Sequence, residues 1–384
     1  MKHLRDKDHC CGCTACAAAC PRDAIMMQAD AEGFPYPVLD EGRCIDCGLC
    51  DKVCQFHEGY EKNEHLPEPL AYAVRHKDET QLTTSRSGAA FVALSDWILQ
   101  QGGVVYGAGY EDGGTFRVIH KRAATPKERD EFKGSKYVQS DLTGIFPQVK
   151  RDLQDGLLVL FSGTPCYTAG LNAYVGKTLR ERLYLVDIVC HGVPSPFFWR
   201  DYLMYAQSRW GVITSVEFRD KSRVGWKGHE ESISFGKKKV FSTIYTQVFY
   251  RHIILRRSCG NCVYCNYARP SDCTLADYWG WERTDKTFNA DNKGCSLVFC
   301  NTEKGRAWFD AIKKDVHYLP AELINTTQGH LQRPTQIPKD RDAFFECYLN
   351  QGIEKALKKY GFVGWRKEVR KLLNLAKRIY RKAK

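Results

Sequence analysis

The stretch HCCGCTACAAACPRDAI, residues 9–25, holds five cysteines within eleven positions. Cys10, Cys13, Cys16 and Cys20 follow C-x2-C-x2-C-x3-C with Pro21 next, and Cys44, Cys47, Cys50 and Cys54 repeat the spacing. Thiolate sulfur is a soft ligand suited to iron–sulfide cubanes. Three thiols on so short a turn wrap one face of a cubane, whereas the fourth lies too far round and ligates the neighbouring cluster. Cys10, Cys13, Cys16 and Cys54 are therefore expected on one 4Fe-4S cluster, and Cys44, Cys47, Cys50 and Cys20 on a second. Structural zinc typically uses two C-x2-4-C pairs and does not need this compressed run. Cys11 has no place in the repeat and reads as a bystander. Gln55 stands where the first copy has Pro21, a difference in the exit turn and not in the ligands.

This is the spacing of bacterial two-cluster ferredoxins, and the rest of the composition agrees with a reduced compartment. The first ten residues, MKHLRDKDHC, contain no apolar run of the signal-peptide kind, and no later stretch reaches the length of a membrane span. The expectation is a cytoplasmic protein, where thiols stay reduced and cysteine-rich spacing reads as cofactor ligation before disulfides. With 43% hydrophobic and 27% charged residues, 384 residues suffice for two or three domains with packed cores that need no staples. The formal charge of +12 is local: residues 365–384 hold nine Lys or Arg against Glu368, which accounts for +8. That distribution argues against a nucleic-acid surface spread over the protein.

The elements that must position the remaining chemistry follow a polar, proline-containing linker, HEGYEKNEHLPEP, after which a new domain starts near Leu70. Strand-like runs alternate with helical ones: LAYAV, a helix AAFVALSDWILQ stopped by Gly102 and Gly103, VVYGAGY, FRVIHKRA, a helix begun at Thr125 and Pro126, and another ending at Gly156. The fully apolar runs at 157–161 and 183–189 have the character of central parallel strands, so an α/β core is expected. Ser195 caps a helix with Pro196 at its first position, and ITSVEFRDK and ESISFG form a later antiparallel pair. The expected architecture is an α+β ferredoxin-like module with two 4Fe-4S clusters, then an α/β flavin-binding domain with a basic C-terminal helix. The expected bounds are 1–60 for the ferredoxin domain, 61–69 for the linker, 70–310 for the second domain and 311–384 for a helical extension.

In an open α/β sheet, ligands gather outside the carboxyl ends of the strands. Cys166 of FSGTPC and Cys190 of CHG each follow a predicted strand, so they would face one crevice. A third group of thiols, Cys259, Cys262, Cys265 and Cys273, is open to two readings. It is a self-contained zinc knot, or Cys259 and Cys262 share a cluster with the crevice thiols.

The motifs LFSGTPC, LVDIVCHGVPSP, FKGSKYVQSDL and ADYWG resemble the coenzyme F-420 hydrogenase/dehydrogenase beta-subunit family, to which the plant 7-hydroxymethyl chlorophyll a reductases are similar. The resemblance runs to about residue 310 and includes the N-terminal ferredoxin module. It implies an FAD-bearing α/β domain with a third 4Fe-4S cluster on Cys166, Cys190, Cys259 and Cys262, leaving Cys265 and Cys273 unmatched. It also implies FAD contacts in SRSGAA and GSKY, namely Ser87, Gly88, Ser135, Lys136 and Tyr137, together with Thr164. Physically, Ser87 and Gly88 precede a helix whose N-terminal amides suit a pyrophosphate, and Lys136 would neutralise it. Ala89 stands where family members often carry a second glycine. Gly107, Gly109, Gly113 and Gly114 do not form G-x-G-x-x-G and read as turn glycines.

His191, beside Cys190, is the candidate proton donor because imidazole titrates near neutral pH, with a hydrogen bond to the cluster or a structural role as the plainer readings. Asp277, Tyr278 and Trp279 match the family's aromatic motif. In the tail, Val369, Leu372, Leu373, Ala376, Ile379, Tyr380 and Ala383 recur at helical spacing with Lys and Arg opposite. Such a basic amphipathic helix suits peripheral contact with an anionic membrane surface, an acidic partner or the parent domain. Flavin exchanges electrons singly or in pairs and each cluster carries one. The expected function is thus an iron–sulfur flavoprotein oxidoreductase passing electrons between 4Fe-4S clusters, FAD and a small organic substrate or carrier such as ferredoxin or a deazaflavin. The rivals are a non-catalytic electron-transfer subunit and a zinc-stabilised binding protein.

Overall fold

Both cysteine turns close around one hairpin, β1 (Ile25–Ala29) against β2 (Pro35–Leu39), antiparallel. The computed structural model describes residues 6–58, 60 and 65–365, so the basic amphipathic tail from residue 366 lies outside the described residues. Short helices Ala15–Ala19 and Leu49–Lys52 carry Cys16 and Cys50. The two copies share a backbone signature: Gly12 (φ 70) and Thr14 (φ 68) in the first correspond to Asp46 (φ 49) and Gly48 (φ 70) in the second. Left-handed residues at both places curl each chain segment about its sulfurs. At Gly12 the conformation is enforced by packing too, since a Cβ would stand 2.8 Å from Pro35 O.

The body of the protein is an eight-stranded sheet. Its strands are β3 (Leu70–His76), β4 (Val104–Tyr110), β5 (Val118–Ala123), β6 (Val159–Gly163) and β7 (Leu183–Ile188). After β8 (Ser215–Glu217), β9 (Glu231–Phe235) and β10 (Lys238–Ser242), which form a separate antiparallel sheet, β11 (Cys273–Asp277), β12 (Ser296–Cys300) and β13 (Val316–Pro320) complete it. The order is β13-β3-β12-β11-β7-β6-β4-β5. Only β4, β6, β7 and β11 run parallel; β5, β12, β3 and β13 are antiparallel to their neighbours. The expected α/β core is therefore a mixed sheet, because hairpin-type returns after β4 and β11 add antiparallel flanks to a parallel centre.

The apolar runs behave as central strands: Val159, Leu160, Phe161, Leu183, Leu185 and Val186 are all fully buried. Alternation along β4 and β6 divides the core. Val105 and Leu160 meet the helices Ala90–Gln100 and Glu303–Ile312 on one face, while Val104, Val159 and Phe161 meet Ile145–Gln154 and Pro165–Arg180 on the other. The helix Pro196–Trp210 begins as expected, with Ser195 Oγ accepting from Phe198 N at 3.0 Å and Pro196 in its first turn. Gly107 and Gly109 lie within β4 and not in turns; a Cβ on Gly107 would stand 2.7 Å from the Phe132 ring. Gly113 and Gly114, at φ 92 and 76, do make the turn.

Candidate functional site

The ligand exchange expected between the two cysteine turns has a spatial counterpart. Cys20, Cys44, Cys47 and Cys50 line one cavity, closed by Ile25, Leu39, Ile45 and Leu49. On the other side Cys10, Cys13, Cys16 and Cys54 lie within electrostatic reach of one another, and burial raises Cys10 and Cys16 above the ordinary thiol range. Clustered thiols that burial keeps protonated are a poor arrangement by themselves; a bound cationic iron core deprotonates them. The donor set fits cubanes.

Cys11 is a bystander in sequence but not in space. Its thiol is buried and hydrogen-bonds Cys13, pulling Cys13 down to about 7. Gln55 sits beside it: Nε2 donates to Cys166 O at 2.6 Å and faces Cys11 Sγ at 3.5 Å, and Tyr264 OH donates to its Oε1 at 2.5 Å. The position without a proline thus links the N-terminal module to the third thiol group.

That third group assembles at the carboxyl ends of two adjacent parallel strands, as the crevice argument requires. Cys166 follows β6 at the start of the helix Pro165–Arg180, and Cys190 follows β7. The turn Arg257–Asn261 brings Cys259, and Cys190 feels Cys259, Cys166 and Cys262 as neighbouring charges. Backbone amides point at the sulfurs: Gly192 N to Cys190 Sγ at 3.3 Å and Val193 N to Cys259 Sγ at 3.4 Å. Burial pushes Cys259 up to about 12, while a hydrogen bond from Cys265 draws Cys262 down to about 7. Cys273, by contrast, is in β11, fully buried and in register with Cys300 of β12. The four-cysteine zinc knot is thereby corrected: one of its members is a core residue of the sheet.

Beside this group lies a cavity of about 540 Å³, in the range of small-molecule sites. It opens along the ends of β6, β7 and β11 and is lined by Ser87, Ser135, Lys136, Tyr137, Thr164 and His191. Five of the six expected FAD contacts meet there. Gly88 does not: a Cβ on it would stand 2.0 Å from Val74 O and 2.6 Å from Ser296 N, so its glycine serves close packing on the sheet. The helix Ala90–Gln100 starts at the cavity with Ala89 as N-cap at φ 61 and no side-chain cap. Ser85 Oγ, Arg86 Nε and Arg219 Nε, on lining residues, are buried without a partner. Burial draws Lys136 down to about 7 while its Nζ donates to Glu131 O at 2.6 Å; an adjacent anion would restore its charge. An uncapped helix start, orphaned donors and this lysine fit an anionic dinucleotide.

The His191 ring lies 4.0 Å from that of His330, tilted by 36°. Burial, with His330 and His252 adding repulsion, holds His191 near 3, so the ring is neutral at physiological pH. Asp277 accepts from Arg219 and from Trp226 Nε1 at 2.7 Å. Trp279 stacks on Trp226 at 4.4 Å and lines the cavity, whereas Tyr278 is fully buried and belongs to the core. Sequence reasoning missed Gln55, Arg219 and Arg256. Only Gln55 carried a signal, its departure from the repeat.

Residues 157–323 match the family model for the C-terminal region of the coenzyme F420 hydrogenase/dehydrogenase beta subunit, and residues 9–57 match the 4Fe-4S dicluster domain. Residues 157–323 thus carry the C-terminal region of that beta-subunit family, behind an N-terminal 4Fe-4S dicluster domain. The family match spans Cys166, Cys190, His191, Cys259, Cys262 and Asp277, and the dicluster match spans all eight cysteines of the repeat. Among solved structures, a chain of the F420-reducing [NiFe] hydrogenase complex from Methanosarcina barkeri is 14% identical with a TM-score of 0.47, covering 78% of this chain and 94% of that one. No curated protein matches significantly. Among the described residues no helix is long and apolar enough to cross a membrane.

Proposed function

We propose that this beta-subunit relative is an iron–sulfur flavoprotein oxidoreductase with three 4Fe-4S clusters and one FAD. The observation that carries the proposal is adjacency. The cavity that gathers Ser87, Ser135, Lys136, Tyr137 and Thr164 also reaches Cys190 of the third thiol group, and Gln55, at the end of the second cysteine turn, joins Cys166 of that group to Cys11 of the first turn. When bound, flavin supplies the conversion between a two-electron reaction and single-electron transfers to clusters. The chain's own residues would do the rest. Cys166, Cys190, Cys259 and Cys262 hold the third cluster, and the start of the helix Ala90–Gln100 with Lys136 and Arg86 receives the dinucleotide phosphates. His191, neutral and lining the cavity, offers a ring N–H as a hydrogen-bond donor to a substrate or carrier atom, and not the transferable proton that an ordinary imidazole would supply near neutral pH. Trp279 and Tyr137 give that carrier apolar walls. A deazaflavin, as in the name of the matched family, is the carrier class to try first.

The test is iron, sulfide and flavin content of anaerobically purified full-length protein, followed by dithionite reduction with paramagnetic resonance. Three cubanes and one flavin per chain are expected. Iron without flavin would refute the flavoprotein reading, and bleaching of bound flavin by a donor without any partner would separate an enzyme from a relay protein.

A further inference from the structure

Four arginines are enclosed almost completely: Arg129, Arg256, Arg269 and Arg341, each at 2% exposure or less. Three of them have a carboxylate. Arg129 meets Asp96 at 2.8 Å and Asp130 at 3.0 Å, Arg269 meets Asp187 at 2.7 Å, and Arg341 meets Glu32. Arg256, at 0%, forms no ion pair with a carboxylate among the described residues. Its fork donates to neutral oxygens instead: Nε to Cys10 O at 2.8 Å, Nη1 to Gln139 Oε1 at 3.1 Å and Nη2 to Pro35 O at 3.0 Å. The guanidinium lies over the Tyr36 ring at 4.1 Å.

A guanidinium does not give up its proton in a protein, and an enclosed charge without a counter-charge is strongly disfavoured. Hydrogen bonds to carbonyls orient it without neutralising it. The groups able to carry negative charge that act most strongly on it are Tyr36, Cys10, Cys11 and Tyr167. Both phenols are held in their neutral form by burial. That leaves the thiols, and Cys10 is a ligand of the first cluster in the function proposed above, on which this inference rests. A cubane on four thiolates bears net negative charge that grows by one when an electron enters, and net charge is among the determinants of its potential.

We infer that Arg256 is the buried counter-charge of the cubane on Cys10, Cys13, Cys16 and Cys54, and that it raises the reduction potential of that cubane. In the step concerned one electron enters the cluster, no bond breaks and no proton moves; the fixed positive charge favours the more negative product. Arg256 acts as a positioning residue through charge. It reaches from the segment leading into Cys259 to the first cysteine turn, so one side chain holds the two modules in register and sets the energy level between them.

The test is a mediated redox titration, followed by paramagnetic resonance, of full-length protein carrying Arg256→Gln, Gln139→Glu or Arg256→Lys. The signal of the Cys10 cluster is assigned by comparison with Cys47→Ala, which removes a ligand of the other. Arg256→Gln deletes the charge, and Gln139→Glu neutralises it in place with a side chain of nearly the same shape. Both should lower the reduction equilibrium constant of the Cys10 cluster about tenfold, a shift of about 59 mV for a one-electron couple. Arg256→Lys should remain within about threefold of wild type, and the Cys44 cluster should not move. A cluster-loaded Gln or Glu variant with the wild-type midpoint overturns the inference and leaves the cubanes standing. Loss of iron from all three, the charge-keeping lysine included, makes Arg256 a packing residue and also overturns it. Wild-type protein that takes up no iron at these thiols would overturn the cluster reading itself.

Discussion

Replacing Asp187 by asparagine isolates the force that holds the third thiol group together. Asp187 of β7 is fully buried and accepts from Arg269 Nη2 at 2.7 Å and Nε at 3.1 Å. Arg269 also donates to Ile188 O at 2.8 Å and to Tyr264 O. One guanidinium therefore pins the segment that carries Cys259, Cys262 and Tyr264 to the end of the strand that leads into Cys190. Asp187→Asn keeps the shape and removes the charge, leaving a buried cation. Breaking a buried pair from one side costs about 3–5 kcal/mol. With an unfolding entropy of about 2.1 cal/mol/K per residue over 384 residues, each kcal/mol shifts the melting temperature by roughly 1.2 °C, so it should fall by about 4–6 °C. Asp187→Leu combined with Arg269→Met removes both charges and should recover most of the loss, because a buried pair contributes little net stability over apolar residues of similar volume. The assay is anaerobic thermal unfolding followed by circular dichroism, with iron content read before heating. The third cluster should be lost before the N-terminal two. The reasoning fails if the single variant stays within about 1 kcal/mol of wild type, or if the double variant is as unstable as the single one.

Other perturbations test separate features. Ala89→Gly should stabilise the protein by up to about 1 kcal/mol in chemical denaturation, since Ala89 holds a left-handed φ of 61 that a methyl group disfavours; a loss of stability would contradict the local strain. Cys273→Ala should leave iron content at the wild-type level and cost about 1 kcal/mol, whereas Cys262→Ala should lower iron. Equal iron loss in both would put Cys273 among the ligands of the third cluster. His120 is buried between Ser140 Oγ at 2.6 Å and Ser162 O at 3.0 Å, and burial draws it from 6.5 to about 4. The unfolded chain therefore binds a proton that the folded one refuses between those values. Stability present above pH 6.5 should fall toward pH 4 with a slope approaching 1.4 kcal/mol per unit from this group. His120→Gln should flatten that part of the profile in denaturant titrations at several pH values.

The chemistry of the cysteine turns was legible because thiol spacing over a few residues dictates geometry directly: Cys20 meets Cys44, Cys47 and Cys50 as the repeat implies. The crevice was legible for a similar reason, since Cys166 and Cys190 end two strands whose apolar runs mark them as central. Less can be read where distant segments meet. Nothing local in SVEFRDK says that Arg219 will pair with Asp277, and nothing in LRRSC separates Arg256, fully enclosed, from Arg257, which pairs at the surface with Asp342 at 2.8 Å. The antiparallel flank beside β11 is hidden in the sequence because β12, buried at every position, is as apolar as the parallel strands. The neighbours of Gly88 suggest a phosphate contact, whereas its own requirement is the absence of a side chain against β3.

Gly170, in the middle of the helix Pro165–Arg180, would place a Cβ 2.7 Å from Cys13 Sγ. A bare patch of helix thus receives a sulfur from the other module, and Gly33 is similarly bare against Phe197, where a Cβ would stand 2.5 Å away. The two halves are keyed to each other like lock and blank. An unrelated ferredoxin spliced onto this body would need matching voids as well as matching cysteines, and chimaeras made by swapping the first sixty residues should couple poorly until those voids are matched too.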